Sequence, residues 1–362
     1  MSQMRTVLIF LLLAMPVMAQ QDAAPPEGGR QTNAATGAAV PQPPIGPNRE
    51  ITLDVVVTDK AGKPVTGLRE QDFTVLDDKL AQKVDSFRAV EETSPPSRVI
   101  LLMDAVNTSF QAVARERLEV EKFLRENNGK LAQPVSLAFF TDKETKILPE
   151  ATRDGNALAD LVEKNESSLR IITPSQGFYG AADRLNLSLK TIGMLTAAEG
   201  RVPGKKLVIW ISPGWPILSG PNVELSKKDQ DYLFNEIVAL STGLREADIT
   251  LYSVDPLGTA DAGGFRTFYY KEFVKGVKAA KNTVAGNLAL QVLAYQSGGR
   301  VLNSNNDIAE EVADCVVDAN AYYLLTFDSP PPDGPVQYHN LEVKIGKAGL
   351  TARTRTGYYA LK

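Results

Sequence analysis

The 362-residue chain contains a single cysteine, Cys315, and a single histidine, His339. With one cysteine no disulfide can form within the chain, so the fold must be stable without one. Because Ile308, Val312 and Ala319 recur at helical spacing around Cys315, we expect this thiol to be buried. Any nucleophile activated by an imidazole would have to use His339, which is predicted to lie in a polar turn beside a strand.

The sequence also lacks an excess of positive charge. Its formal net charge is -4, and it contains no block of lysine and arginine. This pattern excludes the electrostatic footprint of a nucleic-acid-binding protein, so we expect no nucleic-acid partner. Beyond the N-terminus, no apolar run approaches the roughly 20 residues that a membrane span needs, and we expect no transmembrane span in the mature chain.

The N-terminus has the pattern of a secretory signal peptide. Arg5 is followed by the apolar run Val7 to Met18, and small residues precede Gln20 at the expected cleavage point. We therefore expect residues 1–19 to be removed and the mature chain to be exported, either to the periplasm or to the outside of the cell. Residues 20–48 are rich in Pro, Gly, Ala and Gln, which predicts a disordered tether.

Between Arg98 and Phe327 the patterns of strand and helix alternate. This alternation predicts an α/β fold with a central, mainly parallel sheet and helices on both faces. The first strand, Val99 to Met103, has no polar residue, which is typical of a strand buried on both faces. The other strands predicted for this sheet are Val135 to Phe140, Leu207 to Ile211, Thr250 to Val254, Arg300 to Leu302 and Tyr322 to Phe327. Apolar stripes predict helices that include Leu233 to Leu244 and Val284 to Tyr295.

Both ends of the chain show the period-two alternation of half-buried strands. It is clearest at Ile51 to Val57 and at Leu341 to Ile345. Further short strands are predicted at Phe73 to Leu76 and at Val84 to Val90, and the three strands of the N-terminal end make a poor domain alone. We therefore expect residues 49–92 and 336–362 to form one small β-sandwich, with the α/β domain, residues 97–328, as an insertion. The sequence leaves open the alternative that each end extends the central sheet.

Several short motifs occur in a characteristic order along the chain. The motifs are Val57 to Leu68 with Asp72-Phe73, Asp104 with Asn107-Thr108, Gly204-Lys205-Lys206 with Trp210-Ile211-Ser212, Tyr252 to Asp255, Tyr322-Tyr323-Leu324, and Arg355-x-Gly357-Tyr358-Tyr359. In this order of motifs, the chain resembles from end to end the secreted bacterial VWFA-related proteins, which contain a von Willebrand factor A domain. The resemblance implies a Rossmann-like α/β domain and an interaction role, and no settled enzymatic activity.

The resemblance also implies a candidate site at the carboxyl edge of the central sheet. In von Willebrand factor A domains, three loops at this edge hold a divalent cation through oxygen ligands. The first of these loops corresponds here to Asp104, Val106 and Thr108, the second places Gln176 at a threonine position, and the third places Pro213 at an aspartate position. Because Val106, Gln176 and Pro213 each replace a ligand, the resemblance implies a degenerate site, and we expect neither a bound metal nor another cofactor.

Without a cation, the loops at this edge are predicted to form a binding face. Aromatic residues are enriched at protein contacts, and these loops carry Phe178, Tyr179, Trp215, Phe268 and Tyr269. Together with Asp104, Asn107, Thr108 and Gln176, they make up the predicted site. A simpler interpretation is that the rings pack locally and that the Asp104 carboxylate caps the turn before a helix.

The leading hypothesis is therefore an exported, non-enzymatic module that binds a protein or an envelope component without metal. The second hypothesis is a cation-dependent adhesion module, in which Asn107 or Asp255 completes a weak Mg²⁺ or Ca²⁺ site at Asp104 and Thr108. A third, a hydrolase built on acidic pairs such as Glu310-Glu311, has no catalytic context in the sequence.

Overall fold

The structure is a computed structural model that describes residues 49–91, 97–165, 177–215, 225–258 and 270–362. Its strands are β1 (Glu50–Thr58), β2 (Phe73–Asp77), β3 (Leu80–Gln82), β4 (Ser86–Val90), β5 (Arg98–Asp104), β6 (Lys130–Phe140), β7 (Thr145–Ile147), β8 (Thr152–Asp154), β9 (Lys206–Ile211), β10 (Ile249–Val254), β11 (Val301–Leu302), β12 (Tyr322–Asp328), β13 (Val336–Ile345), β14 (Thr351–Arg353) and β15 (Gly357–Leu361). Its helices are α1 (Phe110–Arg125), α2 (Gly155–Lys164), α3 (Gly177–Glu199), α4 (Lys227–Glu246), α5 (Leu290–Gln296) and α6 (Ile308–Val317). Among the helices of the described ranges, none has the length and apolar character needed to cross a membrane.

The central sheet has the strand order β11-β10-β9-β5-β6-β7, with β8 paired to β6. The five strands from β11 to β6 in this order are parallel, and β7 and β8 run antiparallel to β6. Alternate residues of β5 enter two separate cores: Val99, Leu101 and Met103 face α1, α2 and α6, whereas Ile100 and Leu102 face α3, α4 and α5. This is the predicted α/β architecture, and β5 is buried on both faces because helices cover both sides.

The position of β5 also locates the candidate site. The chain passes from β5 to β6 on one side of the sheet and then returns to β9 on the other side, so the strand order reverses between β5 and β9. In open α/β sheets, ligands bind outside the carboxyl ends of the strands at such a switch point. Asp104 is the last residue of β5 and Ser212 directly follows β9.

Strands from both ends of the chain pair with each other in the two antiparallel sheets, whose orders are β14-β1-β12-β4 and β15-β13-β2-β3. β1 pairs with β14 and β2 pairs with β13. One apolar core is shared by the two sheets, and it includes Leu53, Val75, Leu325, Leu341 and Tyr358. A short strand alone could not bury this surface, which is why the two ends depend on each other.

The prediction that Tyr322 to Phe327 extends the central sheet is wrong. This segment is β12, which pairs antiparallel with β1 and β4 in the sandwich. One face of β12 enters the sandwich core, and on the other face Tyr322 and Leu324 pack with Val56 and Val90. Since both faces are covered, the strand has the apolar composition of a buried parallel strand. The inserted α/β domain therefore ends before Tyr322.

The helix predicted over Val284 to Tyr295 is interrupted. A 3-10 turn at Ala285–Leu288 and α5 are separated by Ala289, whose backbone is extended at φ -62° and ψ 145°. Both ends of the supposed apolar stripe are partly exposed, Val284 by 37% and Tyr295 by 47%. The stripe from Leu233 to Leu244, in contrast, is a continuous buried face of α4.

The helix α5 ends at Gln296, and Gly299, three residues further on, offers a test of the packing there. A Cβ atom on Gly299 would lie 1.8 Å from the Leu251 carbonyl oxygen of β10. We expect Gly299→Ala to lower the free energy of unfolding by about 3 kcal/mol, measured by urea denaturation, because a backbone strand must move. Gly193→Ala inside α3 is the control, since its Cβ would meet open space. Equal urea midpoints for the two variants would contradict the close approach.

Candidate functional site

Asp104 is fully buried at the end of β5, and its carboxylate organises the following turn. Oδ1 accepts hydrogen bonds from the backbone N–H groups of Val106 and Asn107, each at 2.8 Å. Oδ2 accepts from the Asn107 side-chain amide at 2.8 Å and from the Trp210 indole of β9 at 3.0 Å. The turn then leads to Ser109, whose hydroxyl caps the first turn of α1. This is the turn-capping role that the simpler interpretation of Asp104 predicts.

These contacts bear on the divalent cation that the family resemblance implies. A carboxylate offers about four acceptor positions, and four N–H donors already use those of Asp104; the Ser212 hydroxyl adds a further hydrogen bond. A cation needs free oxygen lone pairs and is repelled by N–H groups that point towards it. The donor set at Asp104 therefore does not fit a directly bound divalent cation.

A second buried carboxyl lies behind Asp104. Glu116 of α1 is fully buried, and its Oε1 accepts the Asp104 backbone N–H at 3.3 Å. Burial, and then the negative charge of Asp104, raises the pKa of Glu116 well above its ordinary value. Burial also raises the pKa of Asp104, but hydrogen bonds from Asn107 and Trp210 oppose that shift. This arrangement favours one negative charge at the edge, on Asp104, with Glu116 protonated.

Asn107 and Thr108 supply the remaining polar atoms of this turn. The Asn107 amide bridges Asp104 and the Ser188 hydroxyl of α3, the latter at 3.0 Å. Asn107 Oδ1 and Thr108 Oγ1 are buried and have no hydrogen-bond partner among the residues that the structure describes. A buried polar atom without a partner costs about 1–3 kcal/mol. A ligand that donates hydrogen bonds to these two oxygens would therefore gain binding energy there.

Trp215 does not present its ring to solvent. Only 4% of its surface is exposed, and its indole N–H donates to the Leu288 carbonyl at 2.9 Å. The ring packs edge-on against Trp210, with the centroids 5.4 Å apart, and Trp210 packs in the same way on Phe140. Trp215 thus supports the edge of the sheet from within, which corrects its predicted role as a direct contact residue and matches the local-packing interpretation.

For the other predicted aromatic residues, the structure describes at most the backbone. Phe178 and Tyr179 lie in the first turn of α3, not in the loop before it, and their side chains are not among those described. Gln176, Phe268 and Tyr269 lie outside the described residues. Of the predicted set, the structure therefore brings together Asp104, Asn107 and Thr108, and adds Trp210, Glu116 and Ser188 as their partners.

The partners that the prediction missed had recognisable signals. Glu116 lies three residues after Val113 and four before Val120, so it interrupts the buried stripe of α1 with a carboxyl group. An indole N–H in an apolar strand such as β9 needs an acceptor, and Asp104 is the acceptor of Trp210. Sequence alone could not select Asp104 among the possible acceptors, because the two residues are 106 positions apart.

The prediction that His339 lies in a turn is wrong. The residue lies within β13, where it is buried in the sandwich. Its Nδ1 lies 2.9 Å from Asp77 Oδ1, and no described residue hydrogen-bonds to its Nε2. A Ser-His or Cys-His pair is therefore absent from the described part of the chain. Cys315 is buried as predicted, and burial raises the pKa of its thiol far above the ordinary value, which makes it unreactive.

The C-terminal motif Arg355-x-Gly357-Tyr358-Tyr359 joins the sandwich to the α/β domain. Arg355 is buried, and the Tyr359 hydroxyl donates to the Val277 carbonyl at 3.0 Å. A Cβ on Gly357 would lie 2.2 Å from the Tyr338 hydroxyl, so a larger residue does not fit there. These contacts give the motif a structural role at the junction between the two parts of the fold.

Comparisons with known proteins give remote structural similarities only. No family model matches the chain, and no curated protein matches it. An aerotolerance-related membrane protein from Bacteroides fragilis has 14% identity and a TM-score of 0.33, over 61% of this chain and 98% of its own. The manganese-loaded TRAP protein of Plasmodium vivax has 12% identity and a TM-score of 0.34, over 74% and 96%. The pilus adhesin SpaC of Lactobacillus rhamnosus GG has 8% identity and a TM-score of 0.35, over 85% and 49%.

Proposed function

We propose that the protein is an exported, non-enzymatic interaction module that binds a protein or an envelope component through the carboxyl edge of its central sheet, without a bridging metal. The observation that carries this proposal is the hydrogen bonding of Asp104, whose carboxylate is already bound by four N–H donors of the protein. An acidic group of a partner could not share a cation with a carboxylate in that state.

Two features favour this edge as the contact surface. Asn107 Oδ1 and Thr108 Oγ1 are acceptors without partners in the described ranges, so they suit a ligand that brings N–H or O–H groups. The described chain leaves the same edge after Trp215 and after Gly258, and the segment after Gly258 contains the predicted contact residues Phe268 and Tyr269. Loops at such an edge carry function on many α/β scaffolds.

The proposal predicts a contact that depends on aromatic residues and not on metal. We expect immobilised wild-type protein to retain the same species from envelope extract with and without EDTA. The double variant Phe268→Ala/Tyr269→Ala should retain at least about tenfold less, since aromatic residues dominate interface energetics. Leu80→Ala is the control, because Leu80 is a 70% exposed apolar residue on β3 of the sandwich. Equal retention by the double variant and by Leu80→Ala would refute the proposed face.

The cation-dependent adhesion module is the second candidate, and the unpartnered hydroxyl of Thr108 is the observation that favours it. Calorimetric titration with Mg²⁺, Mn²⁺ and Ca²⁺ separates the two candidates when wild type is compared with Asp104→Asn. We expect no binding heat that depends on Asp104. Submillimolar binding that disappears in Asp104→Asn would replace the first proposal by the second. Heat that persists in the variant arises elsewhere in the chain.

A further inference from the structure

A group of metal-ligating side chains lies in the sandwich, away from the central sheet. Asp77 ends β2, Asp78 begins the tight turn to β3, and His339 lies on the neighbouring strand β13. Asp77 and His339 are buried, Asp78 is at the surface, and one potential ligand atom of each lies within 4.8 Å of the others. Among the described residues, these are three neighbouring side chains of the His, Cys, Asp and Glu types that could together hold a metal ion.

The separations lie on either side of those expected for a tetrahedral site. Two nitrogen or oxygen atoms bound about 2.0–2.1 Å from one tetrahedral ion lie about 3.3 Å apart. His339 Nδ1 is 2.9 Å from Asp77 Oδ1 and 4.0 Å from Asp78 Oδ2. One of these separations is shorter and the other longer than the tetrahedral value, and the three ligand atoms lie within 4.8 Å of one another, so the side chains must adjust to bind one ion. The surface position of Asp78 provides the entry path.

The charges of the group would attract a cation. Two carboxylates from adjacent residues lie 2.9 Å and 4.0 Å from one imidazole nitrogen, and a cation bound between them would interact favourably with both. The nearest lysine contact is loose: Lys278 Nζ is 3.9 Å from Asp78 Oδ1 and its side chain is 66% exposed. The chain itself therefore supplies little positive charge to this position.

The neighbouring residues hold two of the three ligands, Asp77 and His339, in fixed orientations. The Tyr358 hydroxyl hydrogen-bonds to Asp77 Oδ2 at 2.7 Å and lies 2.8 Å from Ser329 Oγ. The Tyr358 ring also stacks on the imidazole of His339, with centroids 4.8 Å apart and planes 13° from parallel. Outer contacts of this kind hold ligating side chains in place and raise metal affinity.

We propose that His339 Nδ1 and the carboxylates of Asp77 and Asp78 bind a borderline divalent transition-metal ion, with Zn²⁺ as the best match. One imidazole and two carboxylates suit Zn²⁺, whereas Ca²⁺ needs six or more oxygen ligands. On binding, the ion takes the position of the Nδ1 proton, which is released or moves to Nε2 as the tautomer changes. The ion would fasten the β2–β3 hairpin to β13, independently of the proposed binding face at Asp104.

Titration of the tag-free protein with Zn²⁺ tests this site by calorimetry and by ¹⁵N NMR. Because His339 is the only histidine, both imidazole ¹⁵N signals belong to it, and only Nδ1 and Nε2 have to be told apart. We expect one equivalent of Zn²⁺ to bind and to shift the Nδ1 signal. Asp78→Asn should weaken binding at least about tenfold without unfolding the protein. Asn tolerates the left-handed backbone of position 78, at φ 45°, and keeps an acceptor for the Asn340 N–H.

Two matched variants complete the test. Asp142→Asn changes an exposed aspartate outside the group and should leave Zn²⁺ affinity unchanged. Lys278→Ala removes the nearby positive charge and should strengthen binding a few-fold. The proposal is overturned if the ¹⁵N signals of His339 do not respond to Zn²⁺, or if Asp78→Asn binds Zn²⁺ as tightly as wild type. Retention of the partner at the Asp104 edge is a separate assay, so failure of one proposal leaves the other distinguishable.

Discussion

The free energy of unfolding is expected to fall as the pH rises from about 4 to about 8, and Asp248→Asn is expected to remove much of that fall. The pKa of Asp248 is raised to about 7. The largest cause is burial, and the negative charge of Asp54 and a hydrogen bond between the two carboxyls raise it further. Asp54 belongs to β1 of the sandwich and Asp248 directly precedes β10 of the α/β domain. We therefore expect the junction between the two parts of the fold to hold a proton below about pH 7.

The sign follows from the ordinary pKa of aspartate, about 3.9 in an unfolded chain. Between the two pKa values the folded protein holds a proton that the unfolded chain has lost, so stability decreases as pH rises through this range. With about 1.4 kcal/mol for each unit of pKa difference, the decrease approaches about 4 kcal/mol above pH 7. Glu311, whose pKa burial also raises to about 7, adds a decrease of the same sign.

Urea denaturation at pH 5, 6, 7 and 8 measures this effect. The amide that Asp248→Asn introduces is neutral at every pH, and asparagine tolerates the left-handed backbone found at this position, at φ 53°. We expect the variant to exceed wild type by about 2–4 kcal/mol at pH 8 and to differ little at pH 5. Asp333→Asn, at an exposed loop position, should follow the wild-type curve. Parallel curves for Asp248→Asn and wild type would contradict the shared proton.

The parts of the fold that the sequence predicted well are those whose signal is local. The apolar run of β5 and the turn residue Asp104 can be recognised because consecutive side chains form an unbroken apolar run that ends in an aspartate. The stripe of α4 is equally clear, since its four leucine and isoleucine positions share one face. At the candidate site, local capping of the turn by Asp104 was among the predictions for the same reason.

The parts that were missed depend on distant pairings. β12 is covered by the sandwich core on one face and by other residues on the second, so its composition does not distinguish it from a central strand. His339 has polar neighbours in sequence, and only its pairing with Asp77, 262 residues away, makes it a buried residue. Trp215 looked like a loop aromatic because its acceptor, the Leu288 carbonyl, is 73 residues further along the chain.

Arg353→Ala is expected to cause a large loss of stability, because it breaks a largely buried contact between the sandwich and the α/β domain. Arg353 of β14 forms a salt bridge with Asp318 and also donates to the Gly298 carbonyl. Asp318 is 3% exposed, and the Tyr252 hydroxyl of β10 donates to the same carboxylate oxygen at 3.0 Å. Without the guanidinium group, the Tyr252 phenol is the side-chain partner that the described residues still provide for this buried carboxylate.

Removing one member of a fully buried ion pair costs about 3–5 kcal/mol, since the remaining charge is left uncompensated. The Asp318 side chain is 4% exposed but that of Arg353 is 25% exposed, so we expect a loss at the lower end, about 3 kcal/mol. Arg300→Ala is the matched control: Arg300 also contacts a helix-end aspartate, Asp314, but both side chains are well exposed and the contact is 3.9 Å long. Such surface pairs contribute about 0–1 kcal/mol.

Because Arg353 links two cores, we further expect its loss to split a single urea transition into two, observed by tryptophan fluorescence and by circular dichroism. The two tryptophans described, Trp210 and Trp215, both report on the α/β domain. Coincident fluorescence and circular dichroism transitions, with a loss no larger than that of Arg300→Ala, would show that the sandwich is held in place by other contacts.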